Sequence, residues 1–317
     1  MFDSYIFVDW SAANMPSPVN PTEDSPWVGE LTPVEQRNPV ETYHRTRQCA
    51  IGHVLQRLLH HVGLNRRVLV GFDFPYGYPH GFAQALGLHN NGAAWQNIWA
   101  YLFGQITDNH RNVNNRFQVA SNMNNIMSEG REVRVGPFWC CPAGNVTPHL
   151  ETTKANAIAT QQALGLHEFR LCEQLLLPGV HSTWQLYTPG SVGSQTLMGI
   201  PRLHYLRDHP DHPALAGCSH VWPFETGFAP IAFPVQGPFV LHAEIWPGIP
   251  EVEAIVQAIL LVNPLIIKDR AQVRAMCQWA HQRDQQNQLE SLFNVPAILN
   301  DAQVTQCEQE EGWILGL

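Results

Sequence analysis

Between residues 4 and 75 the chain carries three short strand-like runs, an amphipathic helix and one continuous apolar run, in that order. The runs at 4–9, 25–31 and 40–47 are separated by Pro- and Asn-containing turns and read as an antiparallel meander. Residues 48–64 then set apolar side chains at 51, 54, 55, 58, 59 and 62, the spacing of a helix with one buried face. "RRVLVGFDFP" at 66–75 predicts a fourth strand of the parallel type, because a helix now separates it from the meander. Few arrangements accept this order.

Two of these strands end on an acid. "SYIFVD" closes on Asp9 and "VLVGFD" on Asp73, and an ionised carboxylate at the end of an apolar run costs several kcal/mol, on the order of the known penalties for unpaired buried charge. A third apolar run, "FVLHAEIWPG" at 239–248, carries Glu244. The polar neighbours that follow Asp9, Ser11 and Asn14, are small and uncharged rather than cationic, so pairing within the loop is not expected. Carboxylates brought together at one end of a sheet need a counter-charge, and an all-oxygen donor set favours Mg²⁺ or Mn²⁺ over zinc.

After Pro75 the texture changes to Asn-rich and aromatic sequence, helical in spacing at 94–106 and 116–127. The expected organisation is a core in two parts, 1–80 and 216–317, with a mostly helical insertion at 81–215. The strand pattern returns at 220–227 and 239–248, followed by helices at about 251–262 and 269–283 and a short one near Asn300. Trp95, Trp99, Phe103, Trp139, Trp184, Trp222 and Trp246 sit at core spacing and are expected to pack inside.

Composition narrows the partners. With 44% hydrophobic and 14% charged residues, the 317-residue chain has ample material for a large core. No stretch approaches about 18 consecutive apolar residues and no signal-peptide pattern opens the chain, which predicts a cytoplasmic protein without membrane contact. The seven cysteines show no CxxC spacing and are expected to be free thiols. A net charge of -9 has the wrong sign for holding long duplex DNA by phosphate neutralisation.

The strand order is that of an RNase H-like fold, a mixed five-stranded sheet with flanking helices. The stretches "FVDWSAAN", "GFDFPYGYP", "LYTPGSVGSQTLMGIPR", "VWPFETG", "AEIWPG", "IKDRAQVRA" and "EEGWILG" resemble a bacterial domain-of-unknown-function family of predicted RNase H-like nucleases. That resemblance implies a metal-dependent phosphodiester hydrolase. Asp9, Asp73, Glu244 and Asp301 are then the expected catalytic and metal-holding acids, with Asp269 competing with Asp301 for the C-terminal place. Lys268, Arg170, Arg202, Ser194 and Gln195 are the expected substrate contacts, the last two in a Gly/Ser-rich turn whose N–H groups suit an anion. The expected substrate is a short or single-stranded nucleic acid or a nucleotide-like phosphodiester. The alternative is an actin-like or sugar-kinase-like phosphotransferase, or a non-catalytic binding protein of the same fold. "DWSAAN" has no glycine for the kinase's phosphate turn, and "DFPYGYP" has two prolines where N–H donors are needed.

Overall fold

A computed structural model describes residues 1–88, 92–129, 136–188, 190–208 and 210–317. Six strands form one mixed sheet: β1 (Ser4–Asp9), β2 (Trp27–Leu31), β3 (Val40–Tyr43), β4 (Arg67–Phe72), β5 (Ser219–Trp222) and β6 (Phe239–Glu244). Their order across the sheet is β3-β2-β1-β4-β6-β5. β1 to β3 pair antiparallel, whereas β1, β4, β6 and β5 run parallel. The sheet therefore has six strands rather than the expected five. The "HVWPFETG" run, read as strand-like, supplies β5 as the additional edge strand beside β6.

Helix α1 (Arg47–Gly63) is capped by Thr46, whose side chain accepts from the Cys49 N–H, and it buries Ala50, Ile51, Val54, Leu55 and Leu58. Each of the larger side chains contributes roughly 1.5–3 kcal/mol by leaving water. Between β4 and β5 lie α2 (Phe82–Ala85), α3 (Ala94–Gln105), α4 (Arg116–Ser128), α5 (Ala155–Leu164), α6 (Leu171–Leu176), α7 (Val192–Asp208) and α8 (Pro213–Ala216). This segment shares a core with the sheet: Ile6, Val8, Val70 and Phe72 pack in one cluster with Trp95, Trp99, Phe117 and Leu197. The last helices are α9 (Pro250–Val262), α10 (Lys268–Gln285) and α11 (Asp301–Gln306). Among the described residues no helix is long and apolar enough to cross a membrane.

The sheet's two faces follow strand alternation. Ile6, Val8, Val70 and Phe72 face α1 and the helical segment, while Tyr5, Phe7, Leu69, Leu241 and Ala243 face α9 and α10. On that second face α10 lies directly on β2, and Gly29 permits it: a Cβ there would stand 2.8 Å from the Val273 carbonyl oxygen. Gly29→Ala is expected to lower unfolding free energy in urea by about 1–3 kcal/mol through overpacking. Gly52→Ala, on α1 with nothing within 4 Å of the new methyl, should instead gain up to about 1 kcal/mol. Equal responses of the two variants would mean that α10 is not seated on β2.

The C-terminal stretch clamps the sheet to the helical segment. Ile314 bridges to Glu244, and the Leu315 N–H donates to the Glu244 carbonyl at 2.9 Å. Glu310 accepts from the N–H groups of Gly81 and Ala83, and Glu311 from those of His80 and Leu171. The paired acids of "EEGWILG" are thus consumed in holding the chain together.

Candidate active site

Parallel pairing in the register Val8↔Phe72 carries β1 and β4 to a common end. Asp9 and Asp73 follow immediately, and the backbone ties them together. The Asp73 N–H donates to the Val8 carbonyl at 3.3 Å, and Asp73 Oδ1 accepts from the Trp10 N–H at 2.7 Å. By alternation both continue the Tyr5–Phe7 and Leu69–Gly71 face, the one that α10 covers. Asp269, in the first turn of α10, joins them from above.

The three carboxyl groups perturb one another. Burial pushes Asp9 well above the usual carboxylate range, and the charges of Asp73, Asp269 and Asp24 push it further, with Lys268 opposing. Burial raises Asp73 to about 7, against N–H donors from Trp10 and its own backbone and with the charge of Asp269. Asp269 is raised to about 6, chiefly by burial, against N–H donation from Asp24 and Ser25 and with the charges of Asp24 and Glu23. One oxygen of Asp269, Oδ2, is buried without a hydrogen-bond partner. Crowded acids with raised affinity for protons are poised to exchange those protons for a cation.

Asp24 and Glu23 belong to this setting and were not foreseen. β2 runs antiparallel to β1 with Trp27 opposite Asp9, so whatever precedes β2 must lie near Asp9. Asp24 sits at φ 56°, a left-handed conformation that aspartate tolerates better than most residues.

Glu244 is placed differently. In the β4–β6 register it stands opposite Phe72 rather than Asp73, one residue short, so alternation points it away from the α10 side, although it still borders one small cavity with Asp73 beyond the strand ends. Both its oxygens are taken by Arg170, at 2.7 and 2.6 Å, and one also accepts from the Tyr76 N–H. Asp301 lies exposed in the first turn of α11, behind an Asn300 N-cap. Asp269, not Asp301, supplies the acid from the C-terminal part of the chain.

The expected substrate contacts divide in two. Lys268 is exposed beside Asp9, and Gln195 Nε2 donates to the Trp10 carbonyl at 2.8 Å, next to the acids. Arg170 is spent on Glu244, Glu173 and the Glu311 carbonyl. Arg202 shares Asp108 with Arg47. Ser194 accepts from Arg116 Nε and donates to the Leu186 carbonyl.

No three His, Cys, Asp or Glu side chains among the described residues are arranged to hold a metal ion as they stand. The chemistry of the donor set nevertheless suits a hard divalent cation: carboxylate oxygens only, mutually repelling, with one buried oxygen unpartnered. Comparison with family models, with curated proteins and with solved structures finds no match to this chain.

Proposed function

We propose that this chain is a metal-dependent phosphodiester hydrolase of RNase H-like architecture, with Asp9, Asp73 and Asp269 as the acids that hold Mg²⁺ or Mn²⁺. The observation that carries the reading is the convergence of these three groups at one strand end, all with raised proton affinity and with Lys268 as the cation acting on Asp9. The sheet order supports it, since three antiparallel strands followed by a parallel fourth set Asp9 beside Asp73. A bound divalent ion supplies Lewis-acid polarisation of a phosphoryl oxygen and lowers the pKa of a water nucleophile. The protein's own part is to hold the ion through Asp9 and Asp73, to close the shell with Asp269 from α10, and to meet the non-bridging phosphate charge with Lys268.

The substrate in this reading is a short or single-stranded nucleic acid, or a nucleotide-like phosphodiester. A chain at -9 repels long polyanions. The bond from Gln195 to the Trp10 carbonyl sets the start of α7 against the mouth, which favours a small ligand.

Metal binding must displace the protons held by the cluster. Mn²⁺ affinity measured by isothermal titration is therefore expected to climb as pH rises through 6 and 7, the region where Asp269 and Asp73 ionise, and to keep climbing for as long as Asp9 still holds a proton. Affinity independent of pH from 5 to 8, or no Mn²⁺ binding at all, would remove the basis of the proposal.

A further inference from the structure

Three of the aromatic residues expected in the core depart from it: Phe103 is exposed, and Trp139 and Trp246 are only partly buried. Trp95, Trp99, Trp184 and Trp222 are buried at 3% exposure or less, whereas Trp246 is only half-buried. It follows β6 in the turn "EIWPG" and is seated against Gly248, where a Cβ would come within 2.5 Å of the indole ring. The ring is held by a glycine, in a place where a larger residue would push it out.

Two cavities meet at this indole. One, of about 350 Å³, is apolar and lined by Leu176, Leu177, Val180, Trp246 and Pro250 among others. The other, a recess of about 60 Å³, is bordered by Asp73, Glu244 and His181 and shares Leu177, Val180 and Trp246 with the first. A polar recess at Asp73 and an apolar groove open to solvent thus lie on either side of Trp246.

We propose that the groove beside Trp246 is a nucleobase subsite, in which the base adjoining the scissile phosphate lies on the indole. The inference rests on the hydrolase reading for the position of the phosphate. The occupant follows from charge and shape. Arg170 also borders the acid end but is spent on Glu244, Glu173 and the Glu311 carbonyl, so an anion there calls for an added cation, and the ligand must couple a phosphate to an apolar part. A rigid aromatic surface at the edge of an open aliphatic groove favours a flat ring, which gains by stacking, and every base has such a face. The subsite also gives a short substrate an anchor that the negatively charged surface denies a long one.

The test compares two Mn²⁺-dependent substrates with the same leaving group, the p-nitrophenyl ester of thymidine 5′-phosphate and methyl p-nitrophenyl phosphate. The wild type should prefer the nucleoside ester in kcat/KM, and Trp246→Ala should reduce that preference roughly 10- to 100-fold, the span of base stacking on an aromatic side chain. Trp246→Phe should retain most of it. Val180→Trp, which fills the groove from a partly exposed loop, should lose it as Trp246→Ala does, so a folding defect in one variant does not decide the matter. An unchanged preference in both Trp246→Ala and Val180→Trp overturns the subsite. Saturation-transfer NMR with uncharged thymidine in EDTA separates this inference from the hydrolase reading. Thymidine binding that depends on Trp246 in a protein that cleaves neither ester supports the subsite and sinks the hydrolase. Cleavage of both esters without any Trp246 dependence does the reverse.

Discussion

Asp9→Asn is expected to abolish Mn²⁺-dependent phosphodiester cleavage while leaving the metal-free protein as stable as the wild type or more so. The loss of activity should exceed about 100-fold, because outer partners of metal ligands alone are worth about 10–100-fold and a ligand is worth more. The effect on stability follows from linkage. An aspartate in the unfolded chain ionises near 3.9, but in the folded cluster Asp269 keeps its proton to about 6 and Asp73 to about 7. Between those values the folded state binds more protons. Stability is therefore full below about pH 4 and is lost as pH rises through the folded values. Removing one of the crowded acids relieves this loss, so the advantage of Asp9→Asn should be small near pH 4 and should grow with pH as the neighbours and then Asp9 itself, whose proton is held most tightly by burial, ionise. A gain of about 1 kcal/mol corresponds to ~2–4 °C in Tm for a chain of this size or somewhat smaller. Thermal melts in EDTA at pH 4.5 and pH 8, beside cleavage assays in Mn²⁺, measure both. A variant that melts far below the wild type yet still cleaves would make Asp9 a structural acid.

How far these residues were readable in the sequence depended on whether pairing was needed to see them. Asp9 and Asp73 announce themselves by ending two apolar runs, and the helix between those runs makes the second strand parallel to the first. The helices expected at 94–106 and 116–127 appear as Ala94–Gln105 and Arg116–Ser128, because apolar periodicity is a local signal. Glu244 shows the limit. It also closes an apolar run, but β6 pairs with Arg67 opposite Phe239, and that register leaves the acid one residue short of Asp73. A shift of one residue changes the face. Asp269 and Asp301 were indistinguishable for a related reason, since both open a helix. What separates them is the seat of α10 on β2, allowed by Gly29, a contact between residues far apart in the chain. Asp24 could have been found from the antiparallel return of β2 to the end of β1. Arg170 stands in sequence with little periodicity, and nothing around it tells a phosphate contact from an internal ion pair.

Arg170→Met is expected to be the most destabilising of the changes considered. The guanidinium is fully buried, and it holds Glu244 by two bonds of 2.7 and 2.6 Å and Glu173 by bonds of 3.0 and 2.8 Å, while also donating to the Glu311 carbonyl. Removing it leaves two buried carboxylates without a cation, which costs about 3–5 kcal/mol, or roughly 6–20 °C in Tm. Glu244 would then have to take up a proton to stay buried, which raises its folded-state pKa further above the unfolded value. The destabilisation should therefore be smaller at pH 5 and larger at pH 8. Arg170→Met combined with Glu244→Gln should recover part of the loss at pH 8, because one of the orphaned charges is gone. A single variant that melts within about 2 °C of the wild type at pH 8 would show that Glu244 is already free of Arg170 and available to a metal. The two acid centres bordering this groove are thus distinguished by their counter-charge. Glu244 carries a cation built into the chain, which completes its bonding and leaves it nothing to offer. Asp9 has the exposed Lys268 as its opposing charge, and the raised proton affinity of Asp9, Asp73 and Asp269 records a deficit of positive charge, the deficit that the proposed divalent ion would fill.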